Sequence, residues 1–252
     1  MFIDTHMHIS EEFGVKPDLF VKNAIDNNVK IMIASFCEKD DLELSTFYVE
    51  KYKNIYAAIG YHPEVTNNIV DKDIKILEDK IKSNKKIVAI GEIGLDYYWD
   101  KNNKDEQKEL FRRQLMLAQK LNLPVVIHSR DSIADTYDIL SEFKVQGVIH
   151  CFSGSVEMAK RFINLGFLLG IGGVVTFKNS NLYKVIEQIP LESIVLETDS
   201  PYLTPEPNRG KTNESSNIPY IAKKIADIKN IDISQVETIT TNNAFRIFDL
   251  KY

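Results

Sequence analysis

Two histidines stand two residues apart at the end of an apolar run, in Phe-Ile-Asp-Thr-His-Met-His over residues 2–8. Side chains of an extended chain alternate faces, so His6 and His8 project the same way and can hold one metal ion together. Neutral imidazole is the commonest protein ligand for such an ion, although a strand end with two ordinary surface histidines has the same spacing. Other ligand-type residues follow the same pattern. Glu92 follows Val-Ala-Ile-Gly, His128 ends Pro-Val-Val-Ile, His150 ends Gly-Val-Ile, and Asp199 follows Ile-Val-Leu-Glu-Thr. Singly, each has a structural explanation as a hydrogen-bonded or helix-capping group. Together they place four of the five histidines and two carboxylates at the ends of predicted strands.

Six such groups exceed what one tetrahedral zinc requires and suit two divalent ions about 3.5 to 4 Å apart. Glu92 has two oxygens and can bridge, with His6 and His8 at one ion and His128 and His150 at the other. Asp199 would ligate the first ion and accept a proton from the water between them, whose pKa the ions lower. Such a centre hydrolyses phosphate esters, amides or lactones. His62, in Gly-Tyr-His-Pro, and Arg130, in His-Ser-Arg-Asp, bear on that choice because both donate to a phosphate. Their structural alternatives are a loop-ordering hydrogen bond for His62 and an ion pair to Asp131 or Glu92 for Arg130. Arg209 and Lys211 would extend a cationic rim. Tyr97, Tyr98 and Trp99 would either stack an unpaired base or pack the loop they occupy.

Short apolar runs alternate with segments of helical spacing along the whole chain, the signature of parallel βα units. The spacing predicts eight strands: 2–4, 30–34, 55–60, 87–91, 124–127, 147–149, 167–171 and 194–196. Helices are predicted at 17–27, 40–53, 71–83, 105–121, 131–143, 155–165, 181–189, 218–229 and 233–248. The clearest is 105–121, with Leu110, Gln114, Leu117 and Leu121 along one side. Eight parallel strands fit a closed (β/α)8 TIM barrel of the α/β class, with an extra C-terminal helix, better than an open doubly wound sheet; a seven-stranded or distorted barrel is the alternative. In such a barrel the site is built at the carboxyl ends of the strands, where all six residues fall.

At 252 residues the chain is about the length of one such barrel, and one domain over 1–252 is expected. A net charge of -5 gives no general polyanion-binding surface, though bound divalent cations reverse the local field a phosphate feels. Cys37 and Cys151 are too few for a disulfide framework. A strand starting almost at Met1 leaves no room for a signal peptide, and the longest apolar run, 165–175, is too short to span a bilayer. A cytoplasmic protein without membrane contact is expected, as is a monomer.

The chain resembles the TatD family of metal-dependent deoxyribonucleases, within the amidohydrolase-like barrel group. The motifs that carry the resemblance are Phe-Ile-Asp-Thr-His-Met-His at 2–8, Gly-Tyr-His-Pro at 60–63, Gly-Glu-Ile-Gly-Leu-Asp-Tyr-Tyr at 91–98, Val-Ile-His-Ser-Arg-Asp at 126–131, His-Cys-Phe-Ser-Gly at 150–154 and Leu-Glu-Thr-Asp-Ser-Pro-Tyr-Leu at 196–203. The resemblance implies metal-ligand roles for His6, His8, Glu92, His128, His150 and Asp199. It further implies hydrolysis of DNA phosphodiesters from the 3′ end of single strands, with magnesium, manganese or zinc-like ions. One departure lies after Lys211, where the family tends to read Asn-Glu-Pro and this chain reads Asn213-Glu214-Ser215, so the next helix is expected to start differently. Two other functions fit the residues: a metal-dependent hydrolase of a lactone, an amide or an aminoacyl-tRNA ester, and a non-catalytic barrel serving as a binding partner. Glu92 standing where neighbouring amidohydrolases bridge with a carbamylated lysine favours the nuclease.

Overall fold

The computed structural model describes residues 1–9 and 16–251. Its strands are β1 (Phe2–Met7), β2 (Val29–Phe36), β3 (Ile55–Ile59), β4 (Ile87–Asp96), β5 (Val125–Arg130), β6 (Gly147–Ile149), β7 (Leu168–Ile171) and β8 (Ile194–Leu196). They pair in parallel, each with the next in sequence, as one eight-stranded sheet. The helices are α1 (Pro17–Asp26), α2 (Asp41–Lys51), α3 (Asp71–Ser83), α4 (Lys104–Leu121), α5 (Ile133–Ser141), α6 (Val156–Asn164), α7 (Leu182–Gln188), α8 (Ile218–Lys229) and α9 (Ile233–Phe248). This is the (β/α)8 barrel, with α9 as its extra helix.

The seam between β8 and β1 is irregular. It is joined by backbone bonds from His8 N to Ser200 O at 2.7 Å and from Asp199 N to His6 O at 3.0 Å. Buried Asp4 fastens the same seam. Its carboxylate accepts from Thr198 N at 3.0 Å, Thr198 Oγ1 at 2.6 Å and Ser215 Oγ at 2.6 Å. Ser215, the residue that departs from the family pattern, opens a short 3-10 turn over Ser215–Asn217, and α8 then starts at Ile218.

The strand alternation sorts the core. Ile31, Ile33, Val126, Val148, Leu168 and Val195 meet Ala244, Ile247 and Phe248 in one apolar cluster, so α9 closes that cluster on the side away from the strands' carboxyl ends. The other buried apolar residues pack between strands and surrounding helices.

Four strands run further than predicted, β1 to Met7, β2 to Phe36, β4 to Asp96 and β5 to Arg130, and this changes the expectation that Glu92 follows β4. Glu92 lies inside β4, which continues to Asp96, and His128 and Arg130 lie inside β5. Glycines and polar residues read as strand ends in sequence, but here they pair: Gly94 with His128 and Asp96 with Arg130. Gly94 has φ +149°, and a Cβ there would come within 2.0 Å of the His128 carbonyl oxygen.

Helix α4 reaches the site through two buried glutamines two turns apart. Gln107 Oε1 accepts from Asp96 N at 2.8 Å and its Nε2 donates to Asp96 O at 2.9 Å. Gln114 clamps Tyr61 in the same manner, at 2.8 and 2.9 Å. A stripe read as apolar thus carries two backbone clamps, one on each of two loops beside the site. No helix among the described residues is long and apolar enough to cross a membrane.

Helices α3 and α4 are also linked by charge. Glu78 pairs with Lys120 at 2.8 Å and with Lys82, and these two amines hold its carboxyl down to about 2. A carboxyl lowered in the fold adds stability above its unfolded value, and that stability fades as pH falls through the folded value. Glu78→Gln should therefore lower the urea midpoint at pH 7, and the gap from the parent should close between pH 4.5 and about 2; a gap independent of pH contradicts the assignment.

Candidate metal centre

Where the apolar interior ends, four of the strands lead on, at the same spacing, to a polar residue. Two positions past Val126 stands His128, past Val148 His150, past Val195 Glu197 and past Ile33 Ser35. The period of two that builds the core therefore also aims the chemistry into the mouth.

Glu92 sits at the middle with its side chain 4% exposed. Its Oε2 lies 3.4 Å from His6 Nε2 and 3.8 Å from His8 Nε2. Its Oε1 lies 2.6 Å from His128 Nδ1, 3.3 Å from His150 Nε2 and 3.9 Å from His62 Nε2. Asp199 Oδ1 is 3.6 Å from His6 Nε2 and 3.5 Å from His8 Nε2. The six residues singled out by spacing thus converge. Their ligand atoms fall into three overlapping groups: His6, His8 and Glu92; His6, His150 and Asp199; and His62, Glu92 and His128. This division differs from a simple pairing of His128 with His150, because the His150 ring stacks on His6 at 3.8 Å. His62, read in the sequence as a substrate contact, stands within the third group.

Arg130 takes neither of its structural alternatives: among the described residues it pairs with neither Asp131 nor Glu92, and its guanidinium lies 3.9 Å above the Tyr98 ring. Arg209 stacks on Phe177 at 4.0 Å and donates to Thr204 O at 3.1 Å, while Lys211 reaches Asn208 Oδ1 at 3.5 Å. Arg209 thus ties its loop to the segment after β7, and Lys211 contacts its own loop.

Four residues that sequence reasoning passed over support the site: three face an imidazole, and Asp4 holds the loop of Asp199. Ser35 Oγ meets His6 Nδ1 at 3.2 Å, and Asp96 Oδ2 faces His128 Nε2 at 3.0 Å. Glu197 Oε1 lies 3.2 Å from His150 Nδ1 and accepts from Cys151 N at 2.5 Å. Gly170 leaves room for that carboxylate, since a Cβ there would meet Glu197 Oε2 at 2.0 Å. Asp4 fixes the loop carrying Asp199. Outer partners of this kind set the tautomer and direction of metal-binding histidines. A signal for two of them was present, because Asp4 and Glu197 stand two residues before His6 and Asp199, the spacing at which an extended chain repeats its faces.

The charges suit cations. Burial alone would raise the Glu92 carboxyl, yet His150, His6 and His128 hold it well below the usual range. Burial opposes protonation of His8, His128 and His150, but facing carboxylates prevail: Asp199 raises His8, Asp96 and Glu92 raise His128, and Glu92 and Glu197 raise His150. His6 and His62 are lowered, first by burial and then by the neighbouring histidines, His62 to about 3. Protons on crowded imidazoles thus balance a knot of buried acids, with the His6 and His8 Nε2 atoms only 3.2 Å apart. Divalent ions fit this donor set because they neutralise the same acids while the rings turn neutral. Cation binding must then displace protons, and affinity should climb as pH rises through neutrality. Calorimetric titration with Zn²⁺ at pH 7, in buffers of different ionisation enthalpy, should register net proton release; none between pH 6 and 9 contradicts this balance.

Residues 3–249 match the family model described as TatD related DNase. The uncharacterized metal-dependent hydrolase YabD of Bacillus subtilis (strain 168) is 40% identical, over 98% of this chain and 99% of its own. The uncharacterized metal-dependent hydrolase YcfH of Escherichia coli (strain K12) is 33% identical, over 98% of this chain and 96% of its own. Among solved structures, the TatD homolog YJJV of Escherichia coli K12 superposes with a TM-score of 0.93 at 29% identity, covering 99% of this chain and 98% of that one. The chain therefore belongs to the TatD related DNase family, a family of metal-dependent hydrolases.

Proposed function

We propose that this chain hydrolyses phosphodiester bonds of DNA, working from the 3′ end of single strands, at a pair of divalent cations of the magnesium, manganese or zinc kind. One observation carries the reading: the two oxygens of Glu92 face different histidines, Oε2 toward His6 and His8 and Oε1 toward His128 and His150. A single carboxylate can thereby join two cation sites. Such a pair, when bound, supplies Lewis-acid activation of water and neutralises charge on a phosphate.

The chain's own residues do the rest. His6, His8, His128, His150, Glu92 and Asp199 hold the cations. Asp199, with a side chain 15% exposed, is the more accessible of the two central carboxylates and takes the proton from the attacking water at its Oδ1. Arg130 and His62 stand at the mouth as donors to the phosphate. A cationic side chain without a carboxylate partner among the described residues, beside an anion-handling centre, favours a phosphate ester over a neutral lactone or amide.

Purified protein incubated with labelled single-stranded oligonucleotide should shorten it, and chelation should stop the reaction. Cleavage of a lactone or an aminoacyl-tRNA ester, with the oligonucleotide left intact, overturns the nuclease reading. His128→Ala and Asp199→Ala should each lower turnover by at least about a hundredfold, a typical general-base or electrostatic contribution, with far-ultraviolet circular dichroism unchanged. A near-normal rate in either variant removes that residue from the mechanism. Arg130→Ala should act chiefly on KM, and a large loss of kcat at unchanged KM contradicts its role as a phosphate contact.

A further inference from the structure

Of the three aromatic residues after Glu92's motif, only one is spent on packing. Tyr97 is 5% exposed and donates through its hydroxyl to Asp135 at 2.7 Å. Tyr98 and Trp99 are 51% and 65% exposed, although large aromatic side chains are ordinarily drawn inward. They stand edge to face, with ring centres 4.9 Å apart. The Arg130 guanidinium lies 3.9 Å from the centre of one ring and 5.5 Å from that of the other.

This exposed pair is locked to the metal centre by one side chain. Asp96 Oδ1 accepts from Tyr98 N at 2.8 Å and from Trp99 N at 3.1 Å, while Oδ2 faces His128 Nε2 at 3.0 Å. The Asp96 backbone is itself clamped by Gln107. The carboxylate that orients a cation-site histidine therefore also sets the height and tilt of two solvent-facing rings. Loop packing alone does not require that coupling, since Tyr97 already anchors the loop.

We propose that Tyr98 and Trp99 form a stacking shelf for the unpaired nucleobase next to the reacting phosphate, with Arg130 contacting that nucleotide's phosphate. This rests on the nuclease reading and adds to it a subsite that reads the base. Aromatic faces accept any base, because every base has a π-face, so the shelf selects for unstacked nucleotides and not for sequence. Arg130 joins the two parts of the ligand, being held on the rings while no carboxylate among the described residues pairs with its N–H donors.

Trp99 is the chain's only tryptophan, so its fluorescence reports the shelf directly. The full-length Asp199→Asn variant, loaded with Mg²⁺, is titrated with a thymidine hexanucleotide and with a hexanucleotide of the same phosphates whose 3′-terminal positions are abasic. The base-bearing strand should quench Trp99 and bind about tenfold more tightly. In the otherwise unchanged enzyme, Trp99→Ala should raise KM for the base-bearing strand about tenfold and erase its advantage over the abasic one, while Trp99→Phe should restore most of it. Equal binding and equal cleavage of the two strands overturn the shelf and leave the nuclease reading standing. If no oligonucleotide is cut by the parent protein, the nuclease reading falls separately, and thymidine monophosphate against deoxyribose phosphate still decides the shelf: quenching by the first alone supports it, and quenching by neither overturns it.

Discussion

A carboxylate carried into a barrel interior costs several kcal/mol unless charge or hydrogen bonds replace its water. Glu92 meets that constraint with five imidazoles within 3.9 Å of a side chain only 4% exposed, and the rest of the site is arranged to keep those rings where they compensate it. His6 and His8 come from one end of the seam, His128 and His150 from neighbouring strands across the mouth, and each of His6, His128 and His150 has a second ring nitrogen against Ser35, Asp96 or Glu197. The buried acid therefore dictates the tautomers, the tautomers dictate the outer partners, and the outer partners call for local features such as the missing side chain at Gly170. A charge balanced this closely by titratable rings is ready to exchange protons for cations.

The barrel contributes direction more than chemistry. Its period of two sends apolar side chains inward below and polar ones inward above, while α9 covers the apolar layer away from the mouth. Asp4, Thr198 and Ser215 fasten the irregular seam where His8 and Asp199 emerge. Helix α4 adds two glutamine clamps, on the loops of His62 and of Tyr98. Rigid elements thus hold groups contributed from five different strands and the segments that follow them.

Much of this was legible before any coordinates. Strands β6 and β8 and helices α3, α8 and α9 stand where periodicity puts them, because apolar spacing is a local signal that burial rewards directly. The later halves of β4 and β5 were not legible. Glu92, Gly94, Asp96 and Arg130 resemble loop residues taken singly, and only their pairing across the two strands makes them extended. The six converging side chains could be found because each stands at or shortly after the end of an apolar run that reads as a strand. Asp4, Asp96 and Glu197 lay in the quoted motifs, but what they touch depends on register and on contacts as distant as Ser215, which no local pattern encodes. The same holds for His62: its position after β3 was plain, whereas its approach to Glu92 is a product of the barrel's curvature. Arg130 was read as a phosphate donor with an ion pair as its structural alternative, and its seat on two aromatic rings was not legible, because the turn that Asp96 caps puts those rings there.

The central claim is that Glu92 joins two cation sites. Manganese(II) provides the most direct test, because two ions sharing a carboxylate couple magnetically and give an electron paramagnetic resonance spectrum unlike that of isolated ions. The metal-free protein titrated with Mn²⁺ should take up two equivalents and develop the coupled spectrum, and Glu92→Ala should lose it. One equivalent with an isolated-ion spectrum, or a coupled spectrum that survives in Glu92→Ala, would contradict the account.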